Sequence, residues 1–166
     1  MSSRSRSAEA VATRREATIA NYEFSEQVGH LIRRAYQRHA AIFQQLMPDQ
    51  QLTSPQFAVL CCLMRQDRCS LSEIVQQTAI DQATARGVVD RLRARRLIDV
   101  VPDKEDRRRV VISLTGAGEK LVESMLPFAH DVTARTFGDF TPVEQTAFLY
   151  LLRKMLASDE IPVDSR

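Results

Sequence analysis

Tryptophan is absent from this 166-residue chain, and aromatic residues make up only 6% of it. Glycine is scarce as well, at five residues. β-rich folds spend glycine on turns and aromatics on strands, so a helix-rich fold is expected. Long apolar runs are also missing. The longest, Phe57 to Met64, has eight residues, against the ~20 needed to cross a bilayer. The first twenty residues, rich in Ser, Arg and Ala, hold no apolar export core. A cytoplasmic protein with no membrane partner is expected.

Cysteine is limited to Cys61, Cys62 and Cys69, an odd and closely spaced set that excludes a disulfide scaffold and points to reduced thiols. His30, His39 and His130 are too scattered for a metal pattern, so no metal site is expected. No nucleophile elbow, phosphate loop or Cys/His arrangement is present, which excludes the common enzyme chemistries and leaves no catalytic residue or cofactor to assign. What remains is 44% hydrophobic and 27% charged, enough apolar residue for one compact domain with short tails.

A net charge of +2 does not by itself predict a polyanion partner. The charge is unevenly placed, however. Nine of the 23 basic residues fall between Asp81 and Arg109, against six acidic ones there, about twice an even share.

Residues 1–20 read as a flexible N-terminal arm and residues 159–166 as a flexible tail. From Phe24 to Met47, Val28, Leu31, Ile32, Ala35, Tyr36, Ile42, Phe43 and Leu46 recur at three and four, predicting a long amphipathic helix. Thr53-Ser-Pro-Gln56 and Ser70-Leu-Ser-Glu73 are capping boxes that open a second and a short third helix. Asp81 caps a fourth, running through about Arg95. Ile98–Val101 and Val110–Leu114 flank the charged stretch Asp103–Arg109 and read as a hairpin, with no Asn-Gly or Asp-Gly to set its turn type. A fifth helix follows Thr115 toward Phe137, with Pro127 expected to kink or divide it. Thr141-Pro-Val-Glu144 opens a sixth, through Leu156. Helices, then a short capped pair, then a basic hairpin make a mostly α winged helix-turn-helix with a small β-hairpin wing.

At 100° per residue from Gln82, the fourth helix places Ala85, Val88, Val89 and Leu92 on one stripe, between about −120° and −20°. Gln82, Ala83, Arg86 and Arg93 fall between about 0° and 100°, with Gly87 just beyond. Arg can clasp guanine, Gln can clasp adenine, and small neighbours allow close approach, so this face suits a major groove. Gln82, Thr84, Arg86 and Arg93 are its candidate contacts; a plain solvated face is the competing reading. On the hairpin, Arg108 suits the minor groove, and Lys104, Arg107 and Arg109 suit phosphates. Asp106 braces Arg108 at i and i+2, unless Asp103, Glu105 and Asp106 simply neutralise the arginines.

With these residues in place the chain resembles the MarR family of ligand-responsive winged-helix regulators. Leu52-Thr53-Ser-Pro-Gln56-Phe-Ala-Val-Leu60 is similar to the family's second-helix opening, and Val89-Asp90-Arg91-Leu92 to the end of its recognition helix. Asp106-x-Arg108 followed by Leu114-Thr115 is similar to its wing signature, and the likeness runs from about Phe24 to Leu156. It implies one domain over 21–158, with a DNA-binding core at about 53–115. Dimerisation helices would lie at about 24–47 and 116–157, in a homodimer on a palindromic double-stranded operator with a small-molecule pocket. Two departures stand out. Arg96 precedes Leu97-Ile98 where the family commonly has Gly, which implies a left-handed Arg96 or a differently ended helix. Arg86-Gly87 replaces a small polar residue followed by Arg.

The sixth helix supports dimerisation independently, because Val143, Ala147, Phe148, Leu149, Leu151, Leu152, Met155 and Leu156 cover more of its circumference than a one-sided helix needs. Burial within the monomer is the other reading. Arg33, Tyr36, His39, Phe43, Phe57 and Cys61 could line an effector pocket, with an aromatic wall, a hydrogen-bonding group and a cation for a carboxylate. An aromatic or heteroaromatic acid fits that lining, and the resemblance is nearest to regulators of aromatic-acid or nicotinate-type catabolism. The expected function is a repressor released by such an acid. An oxidant-responsive or ligand-independent regulator, or a winged-helix protein-interaction module, are the alternatives. Cys69, near a helix start, is the thiol to watch, while Cys61 and Cys62 are expected to behave as small apolar residues.

Overall fold

The structure, a computed structural model, describes residues 22–103 and 109–157. A 3-10 turn at Phe24–Glu26 leads into α1 (Val28–Leu46), α2 (Ser54–Gln66), β1 (Arg68–Cys69), α3 (Leu71–Thr78) and α4 (Gln82–Ala94). Then come β2 (Ile98–Pro102), β3 (Val110–Leu114), α5 (Gly116–Phe137) and α6 (Pro142–Ala157). Six helices and a small antiparallel sheet are the mostly α winged helix-turn-helix expected from the sequence. Among the described residues no helix is long and apolar enough to cross a membrane.

The helix starts form as their side chains dictate. Thr53 accepts from the Gln56 amide while Gln56 Oε1 accepts from the Thr53 amide at 2.9 Å. Ser70 with Glu73 and Thr141 with Glu144 repeat this reciprocal bonding. Three departures from the sequence reading are local. Gln27 is extended (φ −71°, ψ 130°), so the helix expected from Phe24 begins only at Val28. Pro127 does not divide α5, which runs unbroken over 22 residues. Val122, Met125 and Val132 are buried on both sides of the proline, and the Glu123 carbonyl that loses its donor belongs to an exposed residue open to water. The third departure is β1, two residues long, which pairs Arg68 with Ser113 and Cys69 with Ile112.

The sheet order is β1-β3-β2, with β2 and β3 joined in register from Ile98–Leu114 to Pro102–Val110. Pro102 has no N–H to donate and sits on an edge strand, where none is required.

The described residues fall into two compact units, the first ending at Ala40 and the second beginning at Ala41. In the first, the described residues carry a tilted Phe24–His30 ring contact at 4.4 Å between centroids, and Val28, Leu31, Ile32 and Tyr36 are exposed. The second holds the core, in which Leu52, Leu60, Leu63, Ile74, Leu92, Ile98, Ile112 and Val122 are almost completely buried. Leu52 lies just before α2 and the others come from α2, α3, α4, the two hairpin strands and α5, so one apolar cluster fixes α3, α4 and the strands together.

Candidate nucleic-acid interface

α3 and α4 are joined by a turn in which Ala79 is left-handed (φ 53°, ψ 25°), followed by Asp81 as the N-cap of α4. Asp81 Oδ1 accepts from the Thr84 amide at 2.9 Å. Hydrogen bonds from Thr84, side chain first and then amide, hold the Asp81 carboxyl below its ordinary range. Thr84 therefore serves the cap as well as the surface.

α4 divides as its periodicity requires. Ala85, Val88, Val89 and Leu92 are buried, and Gln82, Ala83, Thr84, Arg86, Asp90, Arg91 and Arg93 are exposed. Gln82, Arg93 and Arg86 lie within about 40° of one another around the axis, so the structure brings these three together on one face. Thr84 is on the far flank, about 160° from Arg86 and close to Arg91. Asp90 lies on the arginine-bearing face, at about 80°, and the sequence reading left it out.

Gly87 is not required by its own backbone, since it is inside a helix and has no positive φ. A Cβ there would meet only the guanidinium of Arg91, at 3.3 Å. A helical glycine that gives up about 1 kcal/mol relative to alanine, with nothing in its own chain demanding it, leaves an open seat on the exposed face.

At its C-terminus α4 ends in a Schellman motif. The Leu97 amide donates to Leu92 O at 3.0 Å and the Arg96 amide to Arg93 O at 2.8 Å, with Arg96 left-handed at φ 59°. The sequence had offered this as one of two outcomes of lacking glycine. The Thr115 hydroxyl donates to Arg96 O at 2.8 Å and so ties this turn to the start of α5. Arg95 is withdrawn from the exposed face and ion-paired with Asp49.

The hairpin root is described, and the tip is not. Lys104, Asp106, Arg107 and Arg108 lie outside the described residues. The Asp103 amide donates to Arg109 O at 2.9 Å, which extends the ladder one step beyond β2 and β3. Arg109 is exposed and lines an open cavity of about 270 Å³ with Arg68, Cys69, Ser70, Glu73, Asp103, Val110 and Val111. Bonds from the Ser70 amide and hydroxyl hold Glu73 below the usual carboxylate range, and the Arg109 guanidinium adds to the effect. Arg109 thus faces the capped start of α3 as well as solvent. Arg68, on the same cavity, was missed by sequence reading because a two-residue strand has no periodic signature.

The face of α4, its capped start and the basic hairpin root all fall inside or beside the segment that the MarR family profile matches, residues 52–110. Over 139 residues the chain is 50% identical to the HTH-type transcriptional repressor NicR of Pseudomonas putida, covering 84% of this chain and 88% of that one. The chain belongs to the MarR family. Among solved structures it resembles Bordetella bronchiseptica BpsR, described for regulation of its DNA binding by 6-hydroxynicotinic acid. That likeness has 57% identity, a TM-score of 0.78, and covers 82% of this chain and 98% of BpsR. It also resembles the Streptomyces coelicolor regulator PcaV in complex with its natural ligand, at 27% identity and TM-score 0.76, over 84% of this chain and 98% of PcaV.

As a MarR-family chain it is a DNA-binding transcriptional regulator and not an enzyme. Of the six effector candidates, the larger unit brings Phe43 and Phe57 together, ring centroids 5.8 Å apart and tilted by 48°. In that unit Phe43 is buried, and Phe57 and Cys61 are half-buried against the core. In the smaller unit Arg33 and Tyr36 are exposed and His39 is half-buried.

The attention given to Cys69 is corrected by the structure. The residue is 1% exposed, and its thiol donates to Gln66 Oε1 at 3.1 Å. Burial, reinforced by the neighbouring Cys62, pushes its pKa up to about 12, the opposite of what a reactive thiolate needs. Cys62 is buried and Cys61 half-buried, with the Cys61 thiol also pushed up by burial. Among the described residues no group of three or more His, Cys, Asp or Glu could hold a metal ion.

Proposed function

We propose that this protein is a cytoplasmic homodimeric repressor that binds a palindromic operator through α4 and the β2–β3 hairpin and is released by a small heteroaromatic acid of the 6-hydroxynicotinic type. The observation that carries the reading is the likeness to BpsR, 57% identical over nearly its whole length, together with half identity to the repressor NicR.

In this reading Gln82, Arg86 and Arg93 enter the major groove, and Thr84 flanks them beside its cap. Arg108 takes the minor groove, braced by Asp106, while Lys104, Arg107 and Arg109 hold phosphates. No separate cofactor is called for. The effector chemistry needs a cation for the carboxylate, for which Arg33 is suited, hydrogen-bonding groups such as Tyr36 and His39, and the apolar surface of Phe43, Phe57 and Cys61.

Exposed apolar surface supports the homodimer. α6 has no buried residue, and Val143, Tyr150, Leu151 and Leu156 are each more than half exposed. On α1, Val28 and Tyr36 are also more than half exposed. Patches of this kind on a single chain are normally covered by a partner.

The test is binding of the purified protein to duplex DNA from upstream of its own coding sequence and to a scrambled duplex, across a salt series, with and without 6-hydroxynicotinic acid and other aromatic acids. The expected result is salt-dependent preference for the upstream duplex that one acid abolishes, and an Arg33→Ala variant that binds DNA but ignores the acid. No preference over scrambled DNA overturns the regulator reading of the site. Preference indifferent to every acid overturns the effector.

A further inference from the structure

Arg95 is the C-cap residue of α4, and its Nη2 donates to Asp49 Oδ2 in the loop between α1 and α2. The two side chains are 25% and 18% exposed, so the pair is largely withdrawn from water. Arg95 Nη1 is buried too and has no hydrogen-bond partner among the described residues. A basic side chain at the end of a DNA-facing helix would interact best with phosphates if it stayed on the surface; this one is instead committed to the protein.

The loop holds the carboxylate in place independently of the arginine. Asp49 Oδ1 accepts the Gln51 amide at 3.0 Å, and the Asp49 carbonyl accepts the Leu52 amide at 3.0 Å. Gln50 Nε2 donates to Met47 O at 3.0 Å, and Gln44 Nε2 to Gln50 O at 3.1 Å. Met47 and Leu52, at the two ends of this loop, are fully buried. Asp49 is therefore a preorganised anchor in a rigid loop, unlike a mobile surface ion pair whose contribution is small.

We propose that Asp49 is a positioning residue for DNA recognition: through Arg95 it fixes the C-terminal end of α4, and so the angle at which Gln82, Arg86 and Arg93 meet the bases, without touching DNA. The proposal rests on the reading of α4 as the helix that enters the groove. A 13-residue helix is about 20 Å long, so a swing of only about 5° displaces its far end by about 1.7 Å. That is enough to lose a bidentate base contact, whose distance window is narrower.

The sign of one substitution separates positioning from simple charge. Asp49→Asn removes a negative charge from a DNA-binding protein, which by electrostatics alone strengthens binding. Positioning predicts the reverse. Operator and scrambled-duplex affinities are measured across a salt series for the full chain, for Asp49→Asn, Arg95→Met and the double variant, with thermal unfolding as a control. Arg95→Gln, which removes the charge of the pair but keeps a polar side chain of similar reach, serves where either single variant fails to fold. The expected result is an operator affinity lowered at least about fivefold by each change. Scrambled-duplex affinity does not fall in Asp49→Asn, the salt slope is unchanged, and the double variant is no worse than the singles. Wild-type operator affinity in folded Asp49→Asn, or additive losses, overturns the proposal while leaving the regulator intact. A salt slope reduced by about one in Arg95→Met also overturns it, by assigning Arg95 to a phosphate. A wild-type chain that does not distinguish the operator removes the underlying reading itself.

Discussion

A Cβ built on Gly118 would lie 2.1 Å from the carbonyl oxygen of Leu97. The same carbonyl accepts the Thr115 amide at 3.1 Å, so the start of α5 is pressed against the first residue after the α4 turn. Nothing flexible can yield there, because the obstructing atom is backbone. Gly118→Ala is expected to destabilise the protein by about 1–3 kcal/mol or more, read by urea unfolding, and to weaken operator binding by displacing the root of the wing. A substitution without effect on the midpoint would contradict this packing.

Arg96 carries a strain that glycine would relieve. It occupies the left-handed position of the Schellman turn, where an L side chain costs roughly 1–2 kcal/mol and glycine does not. Glycine's greater unfolded-state entropy offsets part of the gain. Arg96→Gly is expected to raise the unfolding free energy by about 0.5–1 kcal/mol in denaturant melts, and a lower value would show that the Arg96 side chain makes a compensating contact.

Stability and function should move in opposite directions at Gly87. Alanine there restores up to about 1 kcal/mol of helix propensity and asks only the end of the Arg91 side chain to shift. If DNA seats against that face, the added methyl holds it off. Gly87→Ala is expected to melt at higher temperature while binding the operator more weakly. Unaltered or tighter binding would separate Gly87 from the interface.

The buried thiols give a dependence on alkaline pH. Cys69 keeps its proton in the folded state to about pH 12, whereas the unfolded thiol loses it near its ordinary value of 9. The stabilisation is therefore complete below that ordinary value and declines as pH rises toward 12, because the unfolded state alone releases the proton. The stability difference between wild type and Cys69→Ala should shrink between pH 8 and pH 11. Native protein should also react slowly with iodoacetamide at this thiol. Rapid alkylation in the folded state would restore Cys69 as a redox candidate.

What could be read in the sequence was what local chemistry determines. Thr53, Ser70, Asp81 and Thr141 each announce a helix start by a bond spanning three residues, and the buried side of α4 follows from its spacing alone. β1 escaped because its two residues become a strand only by pairing with Ser113 and Ile112, more than forty positions away. The Asp49–Arg95 pair, 46 residues apart, escaped for the same reason. Pro127 does not divide α5, because tertiary burial of Val122, Met125 and Val132 on both sides of it outweighs one missing hydrogen bond. Cys69 misled because proximity to a helix start suggests activation, while the residue is buried at the edge of the core with its thiol bonded to Gln66.

If the exposed face of α4 reads bases, Arg86 is the side chain whose loss changes the sequence that is read. Selection from a duplex pool randomised across the half-site would be compared between wild type and Arg86→Ala, both checked for folding. The expected result is a loss of about 1–3 kcal/mol in operator affinity and relaxed preference at one position of each half-site, with the other positions unchanged. A folded variant that selects the same sequence as wild type with the same stringency would contradict it.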